Sequence, residues 1–197
     1  MRLEDYSKNI DFYFFTGTGN TLIIAEKIAG VLSEKGFNVN LKRIENKKAE
    51  EINVQNKILG FAVPVASQGT YLFLWEFFKN LPEGKNTSVF FVDTLFRFSG
   101  GIIGPLKKLF LKKNYVPLGA VEIRMPNNCL PSKINSEKNE KIIKKGLIKA
   151  ENFAENLIDG SAHWGRIPFL SGLFSLISKS RSIWKFYTKA LLKITNF

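Results

Sequence analysis

The chain contains one cysteine and one histidine among its 197 residues. A single thiol cannot form an internal disulfide, a cysteine-based zinc site or an iron–sulfur cluster within the chain. A single imidazole excludes a multi-histidine metal centre. No uninterrupted apolar run reaches the roughly 18 residues that a membrane span needs, so no spanning helix is expected. Acidic residues are scarce: 17 Asp and Glu stand against 29 Lys and Arg, for a net charge of +12. The opening Met1-Arg2-Leu3-Glu4-Asp5 is polar and does not read as a secretory signal, so a reducing cytoplasm is the expected location. No repeat of 20–50 residues is visible. What is present is apolar content of 45%, including 18 phenylalanines, which suffices for the core of one domain. Codon bias in an AT-rich genome is one explanation for the wealth of Phe, Lys, Asn and Ile, so the enrichment by itself does not mark a nucleic-acid binder.

Periodicity organises the first 160 residues. Ile10–Phe15 is an apolar and aromatic run that reads as a buried strand. Behind it, Leu22, Ala25, Ile28, Ala29 and Leu32 share one helical face, and Gly36 stops the helix. Phe37–Ile44 alternates like a half-exposed edge strand. Asn46–Asn56 is polar and reads as a short helix or a loop. Lys57–Val63, closed by Pro64, is a second buried strand, followed by an aromatic helix over Tyr71–Leu81. Thr87–Val92 is the next strand, ending at Asp93-Thr94, and Ile102–Lys113 the next helix. Val116–Arg124 is the fifth strand. A long helix follows over Ser136–Leu157, with Ile142, Ile143, Leu147, Ala150, Ala154 and Leu157 inward. Five strands with intervening helices predict a doubly wound parallel α/β sheet.

Composition shifts after Gly160. Residues 161–197 carry six basic side chains (Arg166, Lys179, Arg181, Lys185, Lys189, Lys193) and no acidic ones, among many Trp, Phe and Leu. The sequence is therefore divided into a domain at 1–160 and a basic, aromatic-rich helical extension at 161–197. Three roles suit the extension. It can dock back on the domain, lie on an anionic membrane through 164–197, or attract an acidic redox partner such as a ferredoxin. No recognition helix or aromatic RNA platform is apparent, so no nucleic-acid partner is expected.

One segment carries chemistry. Thr16-Gly17-Thr18-Gly19-Asn20-Thr21 joins the first strand to the first helix. Its glycines let backbone approach a ligand, and its N–H groups with those of the first helical turn favour an anion. Hydroxyl and amide side chains add neutral donors, and no Lys or Arg is present. Neutral donors alone suit a phosphate monoester held within a cofactor better than triphosphate chemistry. A Walker loop needs Lys, which is absent. The dinucleotide fingerprint needs Gly or Ala where Leu22 stands.

At these residues the chain resembles the flavodoxins. Phe14-Phe15-Thr16-Gly17-Thr18-Gly19-Asn20-Thr21 is similar to their FMN phosphate loop, supported by Val63-Pro64-Val65 and by Met125-Pro126-Asn127-Asn128. The last word resembles the subgroup in which a flavodoxin domain precedes a bacterial-type ferredoxin domain. One cysteine cannot supply the clusters of that second half. The resemblance covers about residues 9–158. It implies noncovalent FMN, strand order 2-1-3-4-5 and electron transfer. Two departures stand out: flavodoxins are usually acidic, and Val65-Ala66-Ser67 stands where an aromatic often follows the third strand.

The ligand is expected at the carboxyl ends of strands one, three and four, where connections diverge to opposite faces. Three loops qualify there. The first is Thr16–Thr21. The second is Pro64, Val65, Ala66, Ser67, Gln68 and Gly69, with Gly69 able to bring a backbone group to the flavin N5. The third is Thr94, Leu95, Phe96, Arg97, Phe98 and the Gly100-Gly101 pair. In that loop Phe96 and Phe98 are candidates to stack on the ring, and Arg97 to offset negative charge on the reduced flavin. Cys129 reads as an inert small residue and His163 as a packing or surface histidine, so no catalytic residue and no metal ligand is expected. The function expected is an FMN-binding electron carrier. Two alternatives stay open: an FMN-dependent NAD(P)H:quinone-type reductase, and a fold of this kind that works as an interaction module without cofactor.

Overall fold

The computed structural model describes residues 2–66, 69–96, 101–127 and 136–165. Strands β1 (Asn9–Phe14), β2 (Asn38–Arg43), β3 (Ile58–Pro64), β4 (Ser88–Leu95) and β5 (Val116–Arg124) form one sheet in the order β2-β1-β3-β4-β5. All four pairings are parallel. Helices α1 (Asn20–Glu34) and α4 (Ser136–Asp159) cover one face, and α2 (Leu72–Asn80) and α3 (Ile103–Lys112) the other. The doubly wound α/β architecture predicted from the alternation is the one observed, with the strand order that the resemblance implies.

The central strands are apolar on both sides because both faces are covered. In β3, Ile58 and Ala62 pack under α1 and α4, while Leu59, Phe61 and Val63 point the other way. The phenylalanines are core residues: Phe12, Phe61, Phe78, Phe90, Phe91 and Phe110 are all fully buried. Phe61 meets Phe78 edge-on at 5.4 Å and stacks on Phe110 at 5.8 Å. Such pairs add to plain area burial.

Two local readings change. The buried stripe of α1 is Thr21, Ile24, Ala25, Ile28, Val31 and Leu32, with Leu22 and Ala29 only half-buried at its margin. Packing against both the sheet and α4 makes the stripe wider than one row of side chains. Strand β4 runs to Leu95, because Asp93, Thr94 and Leu95 find partners in Glu122, Ile123 and Arg124 of β5. Thr94 and Leu95 are thus strand residues, not loop residues. The polar β2–β3 connection, read as a short helix or a loop, holds two single-turn 3-10 helices, Ile44–Asn46 and Ala49–Glu51. It carries the chain to the α2 face, where Ile44, Ala49, Ile52 and Val54 join the core.

The segment after α4 turns back along the sheet edge. Ala120 N–H donates to the His163 carbonyl at 3.1 Å, and Trp164 bridges Ala120 in parallel. The Trp164 ring is buried between Phe91 and Phe110, and its indole N–H donates to the Ile103 carbonyl at 3.0 Å. Trp164 therefore belongs to the domain core, although the sequence reading places it in the basic extension. Residues 166–197 lie outside the described residues, as does Cys129. No helix among the described residues is long and apolar enough to cross a membrane.

Asp11 is a buried carboxylate near the amino end of β1. Lys42 Nζ stands 2.7 Å from one oxygen and Lys57 Nζ 2.8 Å from the other. Burial pushes its pKa up, but hydrogen bonding and charge from the two lysines outweigh that and hold it below the usual carboxylate range. Burial, with the Asp11 charge, pushes the neighbouring Tyr13 hydroxyl up to about 12. Because the folded-state pKa of Asp11 is depressed, its contribution to stability is present above the unfolded pKa of about 3.9 and is lost as pH falls through the lower folded value. Both lysines are partly exposed, so Asp11→Asn should cost only about 1–2 kcal/mol at pH 7. Urea melts at pH 7 and pH 3 should differ less in the variant than in the parent. An equal pH dependence in both would remove Asp11 from the acid response.

Candidate functional site

The site lies where connections diverge. The chain leaves β1 toward the α1 face, but leaves the neighbouring β3 toward the α2 face. A crevice opens between them at the carboxyl edge of the sheet.

Its floor is the turn Thr16–Gly19. Gly19 adopts φ +93°, a left-handed conformation that favours glycine, and forms the cap of α1. Its N–H donates to Thr16 Oγ1 at 3.0 Å, which closes the turn. Accepting that bond leaves the Thr16 hydroxyl its own proton to donate. A Cβ added at Gly17 meets no atom within 4 Å. Gly17 also lies outside the positive-φ glycines. Neither packing nor backbone conformation therefore requires glycine there, and the space beside it is open.

Further bonds lock the turn to the sheet. Thr21 Oγ1 and Thr94 Oγ1 share a buried hydrogen bond of 2.8 Å across α1 and β4. Val65 N–H donates to the Thr94 carbonyl at 2.8 Å. Asn20 Nδ2 donates to the Pro126 carbonyl at 2.8 Å, which ties the end of β5 to the start of α1. Thr94→Val removes one hydroxyl of a buried pair and should cost about 1–3 kcal/mol. The double variant Thr21→Val/Thr94→Val should cost less than the sum of the singles, because no hydroxyl is then stranded. Strict additivity in chemical denaturation would show that the two groups do not interact.

The crevice is lined by Thr16, Gly17, Thr18, Asn20 and Thr21 from the first loop and by Pro64 and Val65 from β3. Thr94 and Leu95 join them from the end of β4, with Phe96 just beyond it. These sequence-selected residues come together. Gly19 shapes the turn beneath them. Ala66 and Gly69 instead pair with each other through backbone bonds of 2.9 and 3.0 Å. Ser67, Gln68, Arg97, Phe98 and Gly100 lie outside the described residues. Tyr71, Met125, Pro126 and Asn127 also line the crevice. Sequence reasoning left them out because it looked only to the ends of strands one, three and four. The Met125–Asn128 word was the available signal for three of them.

The described lining holds no charged side chain. Its electrostatic character comes from the amino end of the 15-residue α1 and from hydroxyl and amide groups. Aromatic surface stands at the rim: Phe96 is 40% exposed, and Phe15, Tyr71 and Phe73 form an edge-to-face cluster beside it, with Phe73 46% exposed. An anionic group fits the loop and a flat apolar one fits the rim. Among the described residues, no group of three or more metal-ligating side chains occurs.

No protein-family model matches this chain, and neither does any curated protein sequence. Solved structures do match. The flavodoxin of Streptococcus pneumonia TIGR4 aligns with a TM-score of 0.54 and 18% identity, covering 76% of this chain and 97% of that one. A flavodoxin from the domain Archaea aligns at 0.53 and 12% identity, covering 76% and 98%. Rubredoxin oxygen:oxidoreductase of Desulfovibrio gigas aligns at 0.53 and 11% identity over 76% of this chain, which spans only 38% of that longer one. At these identities the likeness establishes architecture: the chain has the flavodoxin-like fold.

Proposed function

We propose that the crevice binds FMN and that the protein is an electron carrier of flavodoxin type. The observation that carries this reading is the Thr16–Thr21 turn, with an open cradle at Gly17, a left-handed Gly19 and the amino end of α1 directed to one place.

The residues present fit the group. Backbone N–H groups of the turn and the hydroxyls of Thr16 and Thr18 would hold the phosphate. The Thr21–Thr94 and Asn20–Pro126 bonds preorganise that turn, so little ordering is left to binding. Phe96 and Tyr71 offer apolar surface that would exclude water from one side of the ring. Bound FMN supplies reversible one- and two-electron chemistry, and the protein tunes it by hydrogen bonding, shielding and charge. The net charge of +12 should favour the reduced, anionic form of the flavin.

The test is the visible spectrum of the purified protein loaded with FMN, before and after dithionite, and again with NADPH alone. Reversible bleaching by dithionite, with slow or no bleaching by NADPH, is the result expected of a carrier. Fast bleaching by NADPH without a partner would instead identify a reductase.

A further inference from the structure

A second and larger cavity, about 450 Å³, lies beside the crevice between α4 and the outer edge of β5. Its walls carry Arg124, Lys138, Lys141, Lys145 and Lys149, all exposed, over a floor that includes the half-buried Ile142 and Leu95. The sequence explains the groove. Gly146 sits midway along the helix, and a Cβ there would stand 2.9 Å from Met125 Sδ and 3.2 Å from the Arg124 carbonyl oxygen. Without that side chain α4 closes directly onto β5, and the lysines on either side of Gly146 flank the contact. Gly146 meets Arg124, whereas the segment after the helix meets Ala120. The helix therefore runs antiparallel to β5, and its first turns extend past the carboxyl edge of the sheet. Leu95 lines both the groove and the crevice, so the two open side by side.

We propose that this groove docks the acidic face of a small electron-transfer protein that serves the crevice. The docking surface stands on the groove itself. Only the role of the partner rests on the FMN reading. Five cations around an apolar floor complement carboxylates surrounding an apolar patch, and such complementarity steers encounter and fixes register. A nucleic acid or a lipid surface fits less well. The groove is concave, and Glu122 lines it as well, opposing a ligand whose charge is uniformly negative.

The test uses an acidic plant-type [2Fe–2S] ferredoxin as the probe, with the full chain, by titration calorimetry at low and high salt. Lys145→Glu/Lys149→Glu is compared with Lys108→Glu/Lys112→Glu on exposed positions of α3. Each double variant changes the net charge by the same four units, from +12 to +8. The parent should bind the ferredoxin at low salt and lose it at high salt. The groove variant should lose at least tenfold in affinity and the α3 variant less than threefold, with FMN binding unchanged in both. Equal losses in the two variants would reduce the effect to net charge and overturn the proposal. So would an absence of ferredoxin binding, or tighter capture by phosphatidylserine vesicles through the same lysines. Ferredoxin docking in the groove of a chain that fails to bind FMN would uphold the surface and defeat the flavin reading.

Discussion

Replacing Gly17 with valine is expected to lower FMN affinity by about 100-fold or more while leaving the fold intact. A Cβ at this position meets no protein atom within 4 Å, and the residue has no positive φ to lose. The folded state should accept the side chain. Gly17→Ala should even gain a few tenths of a kcal/mol, because the unfolded chain loses freedom. The same side chain fills the space into which a phosphate must come. Displacing the anion from two backbone donors forfeits roughly 1.5–3 kcal/mol for each charge-assisted bond. A loss of about 3 kcal/mol corresponds to about 100-fold in Kd. Flavin fluorescence titration and thermal melts of parent, Ala and Val forms read the two effects separately. A Val form that binds FMN as well as the parent would move the phosphate elsewhere. A Val form that unfolds would show that packing, not ligand space, requires glycine here.

The second large effect belongs to Trp164. Trp164→Ala should destabilise the protein by about 3–5 kcal/mol, the range for deleting a large buried aromatic. It removes the ring between Phe91 and Phe110 and the donor to the Ile103 carbonyl. For a chain of this size the melting temperature should fall by about 10 °C. Trp164→Phe keeps most of the packing and should cost about 1–2 kcal/mol, mainly the lost hydrogen bond. An unchanged melting temperature in Trp164→Ala would mean that the segment after α4 does not close the sheet edge in solution.

Architecture was legible because it depends on periodicity. Strands such as Ile58–Pro64 are apolar throughout only when both faces are covered, and that pattern survives without knowledge of any partner. The loop Thr16–Thr21 was legible for a related reason: its residue types answer a local demand for a tight turn and close approach. Trp164 was not legible. It stands in a basic, aromatic stretch, and only the register with Ala120 carries it to the Phe91–Phe110 gap. The part that β5 plays in the crevice depends on the Asn20–Pro126 bond, between residues far apart in sequence. The basic groove also escaped notice. The decisive residue is Gly146, whose missing side chain sets how closely α4 approaches β5.

The most direct measurement compares FMN with riboflavin, which lacks the phosphate, in parallel fluorescence titrations of the same cofactor-free protein. If the neutral donors at the β1–α1 junction grip the phosphate, FMN will bind with one-to-one stoichiometry and about 100-fold or more tighter than riboflavin, with the preference lost in Gly17→Val. Equal affinity for the two flavins, or failure to bind either at millimolar concentration, would contradict it.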